Sequence, residues 1–295
     1  MKVYKADIIL LFITLIWGGT FSTMKDVIND VEPFLFIIFR FSLALFFFIL
    51  IFNKKIKINK NVLLLGFILG IFYTIGFQLQ LVGLKFTSAS KSAFITGLAV
   101  IFTPIFQMLI EKKLLSIWQI MGVLLTCTGL FIITNPGTGN INYGDILTIF
   151  SALSYGIYIV FIGRFALKAD VNGLVGMQFL TVVVFSLPFA LYYNDSNFGF
   201  EITGKIIITL LYLSILATIV CTYLHTKYQR ETTPTKAAII FSFEPIFAVI
   251  IASLFYNEEI TLKLVLGGSL IMSGLLFSEL SDFFIEIFFK KNINK

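Results

Sequence analysis

Apolar residues run through this chain in long blocks separated by short polar punctuation. Ten of these blocks meet or approach the about 20 residues that a helix needs to cross roughly 30 Å of hydrocarbon. They are residues 6–24, 34–52, 62–82, 90–110, 116–134, 145–163, 173–193, 206–226, 237–256 and 264–281. The connections are brief, as in Asn53–Lys60, Asn135–Tyr143 and Asn194–Glu201, and none is long enough for a separate soluble domain. The pattern predicts an all-α polytopic membrane protein with ten transmembrane helices. The aromatic tail Phe283–Phe289 carries Glu286 and is followed by two lysines, which suits a segment lying along the interface.

Composition agrees and narrows the class. The 295 residues are 58% apolar and only 13% charged, with 35 phenylalanines and a mean hydropathy of +0.96. A soluble domain carries about 25% charge, so a soluble enzyme, a disordered chain and a secreted disulfide scaffold are excluded. Cys127 and Cys221 both sit in apolar runs without metal-binding spacing, and His225 is the single histidine. No metal and no cofactor is therefore expected. The first apolar run is too long for a cleavable signal, and no small-residue cleavage site follows it.

The net charge of +6 is read by location rather than as a nucleic-acid signal. Assigning alternate loops to one side, starting with the N-terminus, puts sixteen Lys and Arg there and five on the other (Lys25, Lys85, Lys91, Lys205 and Lys263). Basic loops stay cytoplasmic, so both termini are expected in the cytoplasm of a bacterial inner (plasma) membrane protein.

The chain also repeats itself. At an offset of 145, Thr87–Ile133 aligns with Thr232–Ser278, and twelve of 47 positions are identical, among them Lys91/Lys236, Phe102/Phe247, Gly122/Gly267 and Gly129/Gly274. An offset of 138 pairs Asp7 with Asp145, Trp17 with Tyr155 and Gly18 with Gly156. Each half then holds five spans, residues 1–138 and 139–295, the second ending in a short cytoplasmic tail. Because five is odd, the second copy enters the membrane from the opposite side. Inverted repeats of this kind place a substrate site near the midplane between the halves, with access alternating between sides.

Several local stretches strengthen this reading: Trp17-Gly18-Gly19-Thr20-Phe21, Phe39-Arg40-Phe41, Thr87-Ser88-Ala89-Ser90-Lys91-Ser92-Ala93, and Ser242-Phe243-Glu244-Pro245-Ile246-Phe247 followed by Glu258, Gly267 and Gly274. Taken together they resemble the EamA-type members of the drug/metabolite transporter superfamily over essentially the whole chain. The resemblance implies secondary export of small metabolites, amino acids or related compounds, through a central cavity lined by spans 1, 3, 4, 6, 8 and 9. The chain departs from its own symmetry in having Ala99-Val100 where the second half has Glu244-Pro245. Any intramembrane carboxylate function is thus one-sided.

Candidate site residues follow from polarity in apolar surroundings. Glu244 is the one carboxylate near mid-span, where a charge costs roughly 2.5–3.5 kcal/mol. It is a candidate for proton coupling or substrate contact, or else for capping a helix break beside Pro245. Lys91 and Lys236 are candidate cavity-mouth cations that attract anionic groups, or interfacial anchors. Gln78 aligns with Tyr223 and Gln80 with His225, which suggests a shared cavity wall, although His225 reads as incidental beside Lys227. Trp17, Tyr155 and Tyr158 form an aromatic group that either stacks on substrate or packs the core. Arg40 reads mainly as one half of a structural ion pair, with a substrate anion or snorkelling as alternatives.

The absence of HExxH, GxSxG, Walker and repeated filter-like segments argues against an enzyme, an ATP-driven pump and a channel. The expected partners are a small-molecule substrate, the lipid bilayer and protons, with no nucleic acid and with a homodimer left open. The rival reading is a flippase for lipids or lipid-linked intermediates on the same fold.

Overall fold

Within hydrocarbon every backbone polar group must be satisfied inside its own segment, which leaves helices as the form these apolar blocks take. The computed structural model describes residues 2–111, 116–134, 141–193, 203–231, 237, 240–241 and 243–279. Among these residues the chain is helical throughout, with no strand. The first half gives α1 (Lys2–Val27), α2 (Pro33–Phe52), α3 (Lys60–Leu84), α4 (Ala89–Thr96), α5 (Ala99–Glu111) and α6 (Ile117–Thr134). The second gives α7 (Tyr143–Phe165), α8 (Val171–Tyr193), α9 (Gly204–Leu211), a π-helical stretch Tyr212–Val220, α10 (Cys221–Tyr228), α11 (Glu244–Tyr256) and α12 (Leu262–Glu279).

Seven segments are long and apolar enough to span a membrane: Lys5–Val27, Pro33–Lys55, Lys60–Leu84, Ala89–Ile110, Tyr143–Phe165, Val171–Tyr193 and Gly204–Glu231. Three shorter apolar helices, Ile120–Gly129, Glu244–Tyr256 and Leu262–Gly274, fall within the other three blocks read from the sequence. The outer surface is apolar, with Phe46, Leu124, Phe131, Leu254 and Phe255 each more than 60% exposed. Polar side chains turn inward instead. Thr14, Thr74, Thr148 and Thr226 are buried and return their hydroxyls to carbonyls one turn back.

Glycines fix the closest crossings. A Cβ on Gly18 of α1 would come within 2.8 Å of the Phe247 Cβ and 3.1 Å of the Glu244 carbonyl on α11. A Cβ on Gly156 of α7 would meet the corresponding atoms of α5, the Phe102 Cβ at 2.7 Å and the Ala99 carbonyl at 3.3 Å. In the same way α6 and α12 cross where Gly129 faces the Gly267 carbonyl and Gly274 faces the Gly122 carbonyl. Only a residue without a side chain permits these backbone approaches.

Two expected spans are interrupted rather than continuous. Block 90–110 breaks at Gly97-Leu98, between α4 and α5, and the ninth block turns at Phe243 just before α11. These breaks sit 145 residues apart, at matching repeat positions. The eighth block is one long helix whose middle widens into π-helical turns.

Charged side chains gather at the ends of the bundle. Lys25 donates to the Leu84 and Lys85 carbonyls, Lys205 pairs with Asp26 at 3.0 Å, and Lys91 pairs with Asp145. At the other end the Asp170 carboxylate accepts from the Gly173 amide, and Asn172 donates to the Lys55 carbonyl.

Candidate functional site

The two helix breaks converge on one cavity of about 90 Å³, and the π-helical stretch bonds two of its lining side chains from behind. The first break contributes Thr96, Gly97, Ala99 and Val100, and the second contributes Phe241 and Glu244. Trp17, Arg40, Tyr73, Gln80, Tyr155, Tyr158 and His225 complete most of the wall, drawn from α1, α2, α3, α7 and α10. At about 10–15 Å³ per water, the space holds on the order of six to nine waters, or a solute of similar size.

The widened π turns serve this wall directly. Trp17 Nε1 donates to the Ala217 carbonyl at 3.0 Å, and Arg40 Nε donates to Thr218 Oγ1 at 2.9 Å. π-Helical turns concentrate at functional positions because they re-aim groups that a regular helix would hide. On the opposite wall Gln80 Nε2 donates to Thr96 Oγ1 at 3.1 Å, bracing the end of α4 at the first break. Tyr158 Oη donates to Gln178 Oε1 at 2.7 Å, and the Tyr73 and Thr222 hydroxyls share a bond of 2.8 Å. Trp17, Tyr73 and Tyr158 are therefore held by hydrogen bonds at their polar ends.

Two ionisable groups of opposite sign line the space. The Arg40 side chain is buried, 2% exposed, and its guanidinium lies 4.7 Å from the Phe77 ring centroid and 5.5 Å from that of Phe41. Its other protein contact is Nη1 to the Met24 sulfur at 3.4 Å, a weak acceptor. Among the described residues no carboxylate lies within ion-pair distance of it. Glu244 opens α11 at the second break and its carboxylate receives no hydrogen bond from a described residue.

Comparison with known proteins decides the class. The EamA-like transporter family matches residues 4–135 and again residues 142–280. The chain belongs to the EamA-like transporter family. An uncharacterized transporter of Archaeoglobus fulgidus is 32% identical over 276 residues, covering 94% of this chain and 86% of its own length. The uncharacterized transporter YoaV of Bacillus subtilis is 25% identical over 274 residues, covering 90% of this chain and 94% of its own. A solved crystal structure superposes with a TM-score of 0.71 over 96% of this chain and 99% of that one, at 15% identity, which speaks to the fold alone.

Within this EamA-like fold the predicted site residues separate into two groups. Trp17, Tyr155, Tyr158 and Glu244 all line the cavity. Gln78, Lys91 and Tyr223 lie elsewhere. Gln78 Nε2 donates to Ser186 Oγ at 3.1 Å on α8, and the Tyr223 ring packs on Phe52 with centroids 5.0 Å apart and Lys227 above it. Their neighbours Gln80 and His225 face the cavity instead. Two residues along a helix turn through about 200°, so a pair spaced by two points to opposite sides. Lys91 Nζ is held 2.7 Å from Asp145 Oδ2, and that carboxylate is fully buried. Lys236 lies outside the described residues, as do Ser242 and the tail 283–289.

Sequence reasoning passed over His225 and underrated Arg40. His225 sits among the rings of Trp17, Tyr158 and Phe241, with centroids 5.0–6.1 Å away, and its Nε2 contacts Gln229 Oε1. The signal for Arg40 was present in its position seven residues into an apolar block. The carboxylate expected beside it is absent among the described residues.

Proposed function

We propose that this EamA-like transporter is a secondary carrier that exports small metabolites, amino acids or related compounds, by alternating access through the cavity. The observation that carries the reading is the wall itself. Two interrupted helices, one from each half and broken at repeat-equivalent positions, meet aromatic and polar side chains around one cavity. Broken helices at membrane depth are tolerated where they line a cavity, and carriers place their sites there.

Ten helices in two inverted repeats, 1–138 and 139–295, give this arrangement its symmetry. Support comes from the paired glycine crossings, Gly18 on α11 matched by Gly156 on α5, and from the two successive family matches. Both termini face the cytoplasm of a plasma membrane, as the lysine bias requires.

Glu244 is the coupling group. It faces the cavity with no described hydrogen-bond donor, so its carboxylate is available to take up and release a proton as access alternates. Counterflow in proteoliposomes with a labelled metabolite panel, run with and without an imposed pH gradient, tests the reading. Gradient-dependent flux that disappears in Glu244→Gln is the expected result. Flux that ignores the gradient keeps the carrier and removes the coupling role. No flux for any panel member overturns small-metabolite transport and brings lipid substrates forward.

A further inference from the structure

The cavity is lined by a cation, Arg40, with no carboxylate in ion-pair distance among the described residues. Burying a guanidinium away from water is costly unless an anion and hydrogen-bond acceptors replace its hydration. Arg40 keeps its charge at any physiological pH. Its described partners supply one hydroxyl, one thioether sulfur and two ring faces. A planar fork of five donors is left with most of its N–H groups unspent, beside a cavity it lines.

The surroundings restrict what fills that vacancy in bonding. Arg40 is the only cation by formal charge among the lining residues, and Glu244 adds a carboxylate to the same wall. A planar carboxylate meets the guanidinium fork with two parallel bonds. The Phe77 and Phe41 faces and the Thr218 bond hold the fork in place, so little ordering is required on binding.

We propose that Arg40 is the carboxylate-binding residue of the cavity, and that the transported molecules are small organic monocarboxylates, amino acids among them, anchored there through the carboxylate. The assignment rests on the carrier reading above and adds the chemical group by which that carrier selects its cargo.

The test uses the chain's two tryptophans, Trp17 and Trp118. In a Trp118→Phe background the fluorescence of Trp17, which lines the cavity, reports occupancy. Purified protein in nanodiscs is titrated with L-alanine, L-threonine, L-homoserine and L-lactate, and in parallel with the carboxamide of each. The expected result is saturable quenching by at least one acid, with its amide weaker by roughly 10- to 100-fold, as loss of a hydrogen bond to a charged group predicts. Arg40→Gln in the same background abolishes that preference, and Arg40→Lys retains part of it.

Equal binding of an acid and its amide by the Arg40-containing protein overturns the assignment without recourse to any Arg40 variant, so a misfolded substitution does not protect it. Absence of quenching by all four acids up to high millimolar concentration overturns it as well. Counterflow separates the two levels of inference. Flux confined to compounds without a carboxylate removes the role of Arg40 and leaves the carrier standing, whereas absence of flux for every compound removes the carrier.

Discussion

Two cations, one at an end of the bundle and one inside it, have different surroundings. Lys91, at the start of α4, reaches Asp145 at 2.7 Å, and that carboxylate also accepts from Thr87 Oγ1 at 3.0 Å and the Asn142 amide at 3.1 Å. Asn142 returns the favour by accepting from the Asp145 amide, closing a capping box at the start of α7. The buried Asp145 carboxylate thus accepts from three donors, and its bond to Lys91 ties α4 to α7. Arg40 lies deeper, lines the cavity and lacks any described carboxylate partner. A buried charge that is fully answered holds structure together. One that is left unanswered beside a cavity costs stability and is kept for what it binds.

The sharpest way to break this contrast is to remove the cation from each site. Lys91→Met strands the buried Asp145, and losing one partner of a buried pair costs about 3–5 kcal/mol. A large fall in melting temperature in detergent, with unchanged affinity for carboxylates in whatever protein stays folded, is the expected outcome. Stability equal to the unsubstituted protein together with weakened anion binding would instead make Lys91 a guide for substrate.

Arg40→Gln has the opposite signature. Removing a cation with no described counter-ion should leave the melting temperature level or raised, while carboxylate-driven flux drops by roughly 10- to 100-fold. A stability loss as large as that of Lys91→Met would show that Arg40 has structural work to do and erase the contrast.

The crossings that frame both regions come next. Gly18→Ala and Gly156→Ala each press a methyl into the backbone of a half-helix, which by overpacking costs about 1–3 kcal/mol. Thermal melts of the two variants should fall by similar amounts if the halves are packed as equivalents, and a loss at only one position would break the symmetry. The smallest expected effect is at Trp17→Phe, which loses the bond to the Ala217 carbonyl. A net cost of about 0.5–1.5 kcal/mol follows. A loss of flux well beyond what that destabilisation explains would give Trp17 a direct part in binding.

The sequence was most legible where the bilayer leaves no choice. Among the described residues seven of the ten apolar blocks form helices long enough to span a membrane and the other three hold shorter apolar helices, because an apolar stretch has no other way to satisfy its backbone in lipid. Glu244 could be placed at the cavity for a similar reason, since a mid-span carboxylate has few tolerable surroundings. The two helix breaks correspond at the repeat offset of 145, and only the second had a sign in the sequence, Pro245 beside Glu244. Gly97 and Leu98 read simply as part of a continuous apolar run.

Which of two neighbouring polar residues faces inward was not legible. Gln78 and Gln80 differ by a rotation of the helix, and rotation is set by contacts such as Gly66 on Met177 and Gly70 on Thr181 between α3 and α8. The partner of Lys91 lies 54 residues away on another helix, so nothing local distinguished a tethered lysine from a free one. Hydrophobicity along one chain specifies which segments are buried in lipid and that they are helical, because those are properties of single segments. Charge pairing, helix phase and the cavity depend on how several helices are placed against one another, and so only the tertiary structure decided that Arg40 lines the cavity without a described carboxylate partner while Lys91 is paired with Asp145.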